Sequence, residues 1–550
     1  MANNNKGNRF VLQAGILASA GLISRIIGLL YRKPLTSIIL AEGIGYYNAA
    51  YNFYTIILLI ASYSIPSAIS KVIAQKLAVR EYKNAHRIFK CALIYVVVVG
   101  GTAGLILFFL ASVLVSGPAI RVLKIFAPTV FFSGLVGVLR GYFQAHKSML
   151  QTSVSQIFEQ IINAFVSVGV ALLLIYMGTG TLEMPEAAED ITTRAMYGAM
   201  GSAIGTGFSV FMALLFMYGL YLLNKKMILR RVRNDRNQYV DSYGTILRMI
   251  IAVVTPFILS TAVYNLGTTV NQSIYIRLIQ SVKEVQESVA YANFGVFNGQ
   301  AVLISNIPIA FASAMASAMI PQMAQFMSKG DLWSVGEKIS VAIKSTMLIA
   351  IPSAVGLFVL ARPITRLLFA QANTIDMATV SLKALSASVI FYSLSTLSNS
   401  ILQGIGKANI PIINAAISLV IQSAVCAVLI IYTDLDIYSL AVAMTVFSLV
   451  MCILNQMAIR RVVGYRQEIG KTFIIPLIAA GLMGAATWAV YEGVYMISSS
   501  VVISVVPAML VAVCVYFAML IVMKGVTESE LRGFPKGYLL VKMAKKIRLL

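Results

Sequence analysis

Long runs of apolar residues, separated by short polar breaks, dominate the pattern of this 550-residue chain. A helix needs about 20 consecutive apolar residues to cross the hydrocarbon of a bilayer. Runs of that length predict an all-α integral membrane fold with fourteen transmembrane helices and no soluble domain between them. The predicted spans are 11–30, 46–69, 91–115, 121–142, 153–176, 196–222, 248–276, 291–325, 339–361, 380–403, 410–432, 437–459, 473–492 and 500–523.

Composition and the placement of charge support a membrane protein. The residues are 59% apolar and 11% charged, and the net charge is +23. Most of the 43 Lys and Arg residues fall in every second connection, whereas acids such as Glu183 and Asp190 fall on the opposite side. By the positive-inside rule, this alternation predicts that both termini are cytoplasmic. The excess of positive charge therefore sets the orientation and does not indicate nucleic-acid binding.

The connections between spans also predict the organisation of the chain. A basic connection lies between the sixth and seventh spans, which suggests two six-helix halves. Ser67–Glu81 and Ser317–Asp331 share several residues at a constant offset of 250, which favours a parallel duplication. The predicted divisions are a first lobe 1–223, a basic cytoplasmic linker 224–243, a second lobe 244–466, and two appended helices with a basic tail 467–550.

The basic tail, from Lys536 to Arg548, allows two interpretations. It can serve only to set the orientation of the protein in the membrane. It can also attract anionic phospholipids at the cytoplasmic face, at about 1 kcal/mol per basic residue near the surface.

No catalytic constellation is found in the sequence. There is no Ser-His-Asp arrangement, no carboxylate pair within a span and no glycine-rich phosphate loop, and His86 and His146 are isolated. The four cysteines fall at unrelated spacings. We therefore expect no enzyme activity, no cofactor and no metal site. The expected work is movement of a solute or lipid, driven by Na⁺, by H⁺ or by the membrane potential.

Cations lie within the first apolar run, in the stretch SRIIGLLYRK. A charge near the middle of a membrane costs about 2.5–3.5 kcal/mol unless it faces water or a partner. Arg32 follows Arg25 by seven residues, which returns it to almost the same helix face, and Gly28 leaves that face open. With Lys33 beside them, two guanidiniums suit a multiply charged anion such as a diphosphate. The alternative for Arg32 and Lys33 is anchoring at the outer interface.

Glu159 is the one acid that we place inside a predicted span, and Gln160 and Asn163 lie beside it at helical spacing. Glu159 and Asn163 are therefore candidates for coupling or gating. Glu159 could take up a proton, bind a cation or pair with Arg25, and such a pair could also be purely structural. In the second half of the chain, Arg277 is the candidate ligand contact among polar side chains that are expected to be mostly structural.

Several segments resemble the multidrug, oligosaccharidyl-lipid and polysaccharide exporter superfamily. Within it, the chain is most similar to the branch that contains the stage V sporulation protein B and the lipid II flippases of the MurJ type. The resemblance covers essentially the whole chain. The segments are SRIIGLLYR in the first span, YYNAAYNFYTIILLIASYSIPSAISKVIA in the second and NIPIAFASAMASAMIPQMAQ in the eighth.

The resemblance implies a V-shaped pair of lobes that alternate access and move an undecaprenyl-diphosphate-linked cell-wall precursor outward across the bacterial cytoplasmic membrane. Cell-wall synthesis proteins would be partners, in growth or in sporulation. The branch carries Ser-Arg, then Gly and a second Arg, which match Ser24, Arg25, Gly28 and Arg32. Here the second arginine comes one residue later, and Lys33 stands where those flippases have an acid. The appended helices resemble a pair that forms a groove for the isoprenoid tail.

Two other functions stay open at this point. A cation-coupled multidrug exporter would need an intramembrane acid in its binding lobe, and Glu159 keeps that possibility open, whereas Arg25 argues against it. A non-transporting scaffold for the division or sporulation machinery would need no charged stripe inside the bundle.

Overall fold

The computed structural model describes residues 2–59, 65–146, 148–185, 187–235, 240–328, 331–369 and 372–526. Within these ranges some helical residues are described by their backbone alone. They include residues 2–19, Arg25 and residues 253–265.

Helices make up the regular structure of the described residues, and no strand occurs among them. Two π-helical turns, Phe297–Val302 and Gly470–Ile474, and one 3₁₀ turn, Ala372–Thr374, join or extend α-helices. The α-helices are α1 Ala2–Leu58, α2 Ile65–Ala78, α3 Tyr82–Leu114, α4 Ala119–Ala145, α5 Leu150–Thr179, α6 Ala188–Arg233, α7 Tyr243–Lys283, α8 Glu287–Val296, α9 Leu303–Ser328, α10 Leu332–Val359, α11 Ala361–Leu368, α12 Ile375–Gly404, α13 Asn409–Tyr432, α14 Tyr438–Val463, α15 Ile475–Ser498 and α16 Val501–Val522.

Eleven segments of the described chain are helical, long and apolar enough to cross a membrane. They coincide with eleven predicted spans, and the prediction of a multi-pass helical membrane protein is confirmed. The other three predicted spans are 11–30, 46–69 and 248–276, which fall on α1, α2 and α7, where many side chains lie outside the description. The total of fourteen therefore stays a prediction.

The chain divides into two compact units, Met1–Gly295 and Val296–Leu550. The predicted lobe boundaries concern a sequence duplication, and they stay a prediction. Helix α6 continues to Arg233, so the first half of the predicted linker 224–243 is helical.

Close packing of α5 on α6 organises the first unit. A Cβ at Gly201 would lie 2.5 Å from the Cα of Ala171, and a Cβ at Gly205 would lie 2.4 Å from the Cα of Ser167. Real Cβ atoms do not approach backbone this closely, so glycine is required at both positions. This spacing of small residues lets two helices approach until their backbones touch, as is common in membranes.

A chain of asparagines links three helices of the second unit. Asn414 on α13 donates to Asn455 on α14 at 2.9 Å, and Asn455 donates to Asn399 on α12 at 2.7 Å. In the same unit α15 packs against α16 and α10. Buried amide pairs of this kind align helices because an unpaired amide in an apolar interior is costly.

Helix α1 is broken at Leu40, where φ is 64° and ψ is 172°. The break frees carbonyls at the end of the first half of the helix. The buried Arg194 of α6 supplies the donors: its Nε donates to the carbonyl of Ile38 at 3.2 Å, and its Nη1 donates to the carbonyls of Leu182 and Glu183 at 2.9 and 2.8 Å. One guanidinium therefore stabilises both the kink and the loop before α6.

The first half of α1 extends further than the predicted span, which places its cations well before the end of the helix. We expected Arg32 and Lys33 near the outer end of the first helix, but the helix continues to Ile39. Arg32 therefore lies about two turns before the helix ends. The continuation includes Pro34, whose carbonyl accepts a hydrogen bond from Ser37.

The connection between α6 and α7 is fixed to the turn between α2 and α3. Lys76 forms ion pairs with Glu81 at 2.8 Å and with the buried Asp241 at 2.7 Å. The backbone N–H of Asp241 donates to Asn84 at 2.9 Å, and its carbonyl accepts from Arg87 at 3.0 Å. The start of α7 is therefore tied to the start of α3.

We predict that Arg194→Met destabilises the first unit. The change leaves the carbonyls of Ile38, Leu182 and Glu183 without their donor, and we expect a loss of about 3 kcal/mol. The measurement is the melting temperature of the purified protein in detergent. Arg121→Met, which changes an exposed arginine, is the matched control. Equal melting temperatures for Arg194→Met and Arg121→Met would contradict the capping role.

We also predict an acid-dependent loss of the Lys76–Glu81 contact. Hydrogen bonds from Lys76 and Asn84 lower the pKa of Glu81 below its usual value. A lowered pKa means that the contact stabilises the fold at neutral pH and that this contribution is lost as the pH falls through the folded-state pKa. The melting temperature of wild type should exceed that of Glu81→Gln at about pH 7, and the difference should shrink below about pH 4. A difference that is constant with pH would contradict this account.

Candidate functional site

A partly buried cation marks the centre of the candidate site in the first unit. The guanidinium carbon of Arg32 lies 5.6 Å from the ring centroid of Tyr47, within the range of a cation–π contact. The Nη1 atom of Arg32 is buried, and no atom of the described residues accepts a hydrogen bond from it. A buried donor of this kind is costly unless a ligand or water completes it.

Hydrogen bonds connect Tyr47 to three helices around this cation. The hydroxyl of Tyr47 lies 3.0 Å from Oγ1 of Thr206, and Thr206 donates to Oδ1 of Asn163 at 3.3 Å. Asn163 donates to the hydroxyl of Tyr31 at 3.3 Å and accepts from Ser167 at 2.6 Å. The network therefore joins α1, α5 and α6 through side chains that flank Arg32 in the sequence or in space.

Aromatic contacts hold Tyr47 in place from its other side. Tyr47 stacks on Tyr51 with ring centroids 5.7 Å apart and meets the edge of Phe126 at 5.5 Å. Phe126 in turn stacks on Tyr54 at 4.8 Å. This packing restricts the Tyr47 ring, so the contact with Arg32 is held by the fold and not by Arg32 alone.

The other predicted residues of the first helix lie in different surroundings. A Cβ at Gly28 would meet only Oε1 of Gln160, at 3.9 Å, which agrees with an open and polar face. Lys33 is exposed. The backbone of Arg25 belongs to α1, and its side chain lies outside the described residues. Its predicted role stays a prediction.

Glu159 has a partner that sequence reasoning did not propose. Its carboxylate forms an ion pair with Arg140 of α4 at 2.7 Å. The same guanidinium donates to Ser155, one turn earlier on α5, from Nη2 at 2.6 Å and from Nε at 2.8 Å. We considered Arg25 as the partner of Glu159, whereas the turn between α4 and α5 brings Arg140 there. The acid is neutralised by this pair.

Arg277 belongs to a different set of contacts. Its side chain is exposed, and Nη2 donates to the carbonyl of Val113 in the last turn of α3 at 3.3 Å. A cation at this position interacts favourably with the carbonyl end of a helix. The neighbouring Gln272 accepts from Asn52 at 2.7 Å and donates to the carbonyl of Ala49 at 3.2 Å, so it links α7 to α1.

Sequence reasoning missed two residues of the site and one buried acid of the same unit. Tyr47 and Thr206 carry no sequence signal, since a tyrosine or threonine in an apolar run is usually structural. The buried acid is Glu42, which is 7% exposed and accepts a hydrogen bond from Tyr46 at 2.7 Å. The predicted second span starts after Glu42, so we read it as part of a connection. The i, i+4 spacing of Glu42 and Tyr46 was the available signal.

The arrangement can hold an anion beside hydroxyl and amide groups. A guanidinium binds phosphate through paired, charge-assisted hydrogen bonds. The hydroxyls of Tyr31, Tyr47 and Thr206 and the amide of Asn163 can donate to or accept from a polar ligand. Among the described residues, no three His, Cys, Asp or Glu side chains are grouped so as to hold a metal ion.

Comparison with known proteins shows relatives along most of the chain. It is 22% identical over 487 residues to the lipid II flippase MurJ of Bacillus subtilis (strain 168), which covers 86% of each chain. It is 22% identical over 534 residues to the stage V sporulation protein B of the same organism, which covers 94% of this chain and 96% of the relative.

Solved structures show the same fold. A lipid II flippase MurJ in an inward closed conformation superposes with a TM-score of 0.63 at 15% identity, covering 92% of this chain and 97% of the other. An inward-facing multidrug resistance MATE family transporter superposes with a TM-score of 0.59 at 18% identity, covering 78% and 94%. At these identities the likeness establishes the fold alone.

The fold and these comparisons define a multi-pass membrane protein of the transporter class, whose relatives include a lipid II flippase. The family model described as polysaccharide biosynthesis protein matches residues 11–327, more than half of the chain, and the MatE model matches residues 299–428. The chain therefore belongs to the polysaccharide biosynthesis protein family of the multidrug, oligosaccharidyl-lipid and polysaccharide exporter superfamily, in the branch of MurJ and the stage V sporulation protein B. The predicted family is confirmed.

We predict that Arg32→Met raises the stability of the protein without ligand. The change removes a buried donor that has no described acceptor, and relief of that cost should add about 1–3 kcal/mol. Functional sites commonly carry such a cost. The readout is the melting temperature in detergent, with Arg194→Met as the contrasting variant, because that arginine donates to three backbone carbonyls. A fall in melting temperature for Arg32→Met would indicate a structural arginine.

Proposed function

We propose that this protein is an alternating-access flippase that exports an undecaprenyl-diphosphate-linked cell-wall precursor, lipid II or a related lipid-linked oligosaccharide. The observation that carries the proposal is a buried guanidinium nitrogen of Arg32, beside Tyr47, that has no hydrogen-bond acceptor among the described residues. A diphosphate entering hydrocarbon without a counter-charge would face a prohibitive desolvation cost, so a cationic binding site is required.

The surroundings of Arg32 suit a diphosphate that carries sugars. Arg25 precedes Arg32 by seven residues on the same helix, so its charge can reach the same ligand, and Lys33 adds a third. The hydroxyls of Tyr31 and Tyr47 and the amide of Asn163 offer hydrogen bonds to sugar hydroxyls. Gly28 leaves space on this face for the ligand. Arg277 stays in the proposal as a contact supplied by α7.

The proposal also covers the orientation of the protein in the membrane and the energy source of transport. The charge pattern favours both termini in the cytoplasm of a bacterial cell, with the basic tail near anionic phospholipids. No cofactor is proposed, and the coupling ion, Na⁺ or H⁺, is unassigned. Glu159 and Asn163 are the proposed gating pair: release of Glu159 from Arg140 would change the charge beside the Asn163 network. Cell-wall synthesis proteins are the proposed partners, in growth or sporulation.

A cation-coupled multidrug exporter is the second candidate. The MatE match over residues 299–428 and the fold shared with MATE transporters favour it. A site for cationic drugs would need an acid that is free to bind them. Glu159 is instead paired with Arg140 at 2.7 Å, and Glu42 is hydrogen-bonded to Tyr46. The unpaired charge near the centre of the first unit is therefore positive, which favours the flippase.

Reconstitution into vesicles with labelled lipid II tests the proposal. Wild type should move lipid II outward, and Arg32→Ala and Arg25→Ala should each reduce the rate about 10- to 100-fold, because each removes charge-assisted hydrogen bonds. Arg32→Lys keeps the charge but loses the paired geometry, so it should retain intermediate activity. Arg121→Ala, an exposed arginine of the same unit, should transport like wild type.

Three results would contradict the proposal. Equal transport by wild type, Arg25→Ala and Arg32→Ala would remove the site assignment. Cation-dependent efflux of a cationic dye, without any movement of lipid II, would favour the multidrug exporter. No transport of either substrate by wild type would favour a scaffold.

A further inference from the structure

Each unit has a cleft of similar size on its outer surface. In the first unit, a cleft of about 300 Å³ lies between α3 and α4 and is lined by Gly101, Phe108 and Phe131 among others. In the second unit, a cleft of about 310 Å³ lies where α10, α12 and α15 meet and is lined by Phe358, Lys383 and Trp488 among others. The proposed transport site uses neither cleft.

A lysine rests on a phenylalanine at both clefts. Nζ of Lys124 lies 5.4 Å from the ring centroid of Phe108, and Nζ of Lys383 lies 5.6 Å from that of Phe358. Phe108 and Phe358 are 250 residues apart, as are the first residues of their helices, Tyr82 and Leu332. The two phenylalanines therefore occupy the same position in helices that match at the offset of the sequence repeat, whereas Lys124 and Lys383 are 259 residues apart and reach the rings from different positions of α4 and α12.

Both clefts are exposed to the surroundings of the protein. Phe108 is 42% exposed, Phe358 is 52% exposed and Trp488 is 59% exposed. The helices that carry them are among those apolar enough to span a membrane, and an exposed apolar face of such a helix is suited to contact with lipid. A Cβ at Gly101 would have nothing within 4 Å, which shows that the first cleft is open space.

Neither lysine is neutralised by a carboxylate of the residues that the structure describes. An ammonium group above an aromatic ring at a lipid-facing surface attracts an anion. The apolar cleft below it accepts a hydrocarbon chain. Charge and shape together fit a molecule with one anionic head group and a flexible apolar tail.

We propose that the two clefts are binding sites for anionic diacyl phospholipids of the bilayer, one in each unit. The phosphate binds Lys124 or Lys383, and one acyl chain lies in the adjoining cleft. A single cation at each cleft suits the one negative charge of a phospholipid, whereas a diphosphate calls for several. On the predicted topology both clefts lie toward the outer leaflet, so these sites are distinct from the basic cytoplasmic tail.

Native mass spectrometry of the full chain tests this proposal, with equal amounts of palmitoyl-oleoyl phosphatidylglycerol and phosphatidylcholine. Wild type should retain two phosphatidylglycerol molecules in preference to phosphatidylcholine. Lys124→Gln and Lys383→Gln should each weaken one site about fivefold, the effect of one basic contact near a membrane surface. The double variant should lose both. Arg121→Gln and Arg366→Gln, exposed arginines that line neither cleft, should bind as wild type does.

Variants that fill the clefts test the contribution of the acyl chain to binding separately from that of the head group. Gly101→Leu and Ala485→Leu place a side chain in each cleft and keep the lysine, and they should also displace one lipid each. Ala485 is exposed, so this change should not disturb the fold. The melting temperature without added lipid checks that every variant remains folded.

Three results would overturn the proposal. One is equal retention of phosphatidylglycerol and phosphatidylcholine by wild type. Another is unchanged binding in the double lysine variant. The third is loss of undecaprenyl diphosphate binding, with phosphatidylglycerol binding intact, in the lysine variants, which would make the clefts part of the path of an isoprenoid substrate.

Discussion

A partly buried positive charge, which forms no ion pair with the residues that the structure describes, is the constraint on which the first unit depends. Burial of a guanidinium is tolerated where an aromatic face, nearby hydroxyls and a ligand can replace the water that it loses. Arg32 has the first two from Tyr47 and the network of Asn163 and Thr206. Its Nη1 atom, which has no acceptor among the described residues, can donate to a ligand.

The shape of α1 is what allows this arrangement. The break at Leu40 turns the chain so that Arg32 and Tyr47, on opposite sides of the kink, come within 5.6 Å. Arg194 satisfies the carbonyl that the break exposes. The close contact of α5 and α6 at Gly201 and Gly205 then places Asn163 and Thr206 at hydrogen-bond distance. The site therefore rests on backbone geometry as much as on the polar side chains.

The charges of the first unit fall into two classes. Arg140 with Glu159, and Lys76 with Asp241, are matched pairs whose charges cancel and which fix helices to one another. Arg32 is unmatched within the described residues and lies over the ring of Tyr47. Matched pairs hold the frame, because breaking one leaves an uncompensated charge. The unmatched cation is available to an anionic lipid, which separates this site from the acid-based sites that a cation exporter would need.

The sequence by itself determined the membrane class and the predicted positions of the helices, because the bilayer requires long apolar runs and these are visible in one dimension. The family was visible in the resemblance of particular segments. It also pointed to Arg32 and Gly28, since a charge in an apolar run is rare. Only the tertiary structure decided which groups those residues meet. Glu159 pairs with Arg140, which precedes it by 19 residues. Tyr47 contacts Arg32 across a kink that the residue types around it do not predict. Ion pairs and hydrogen bonds depend on distances of a few ångströms between separate helices, and the order of residues along one chain does not specify those distances.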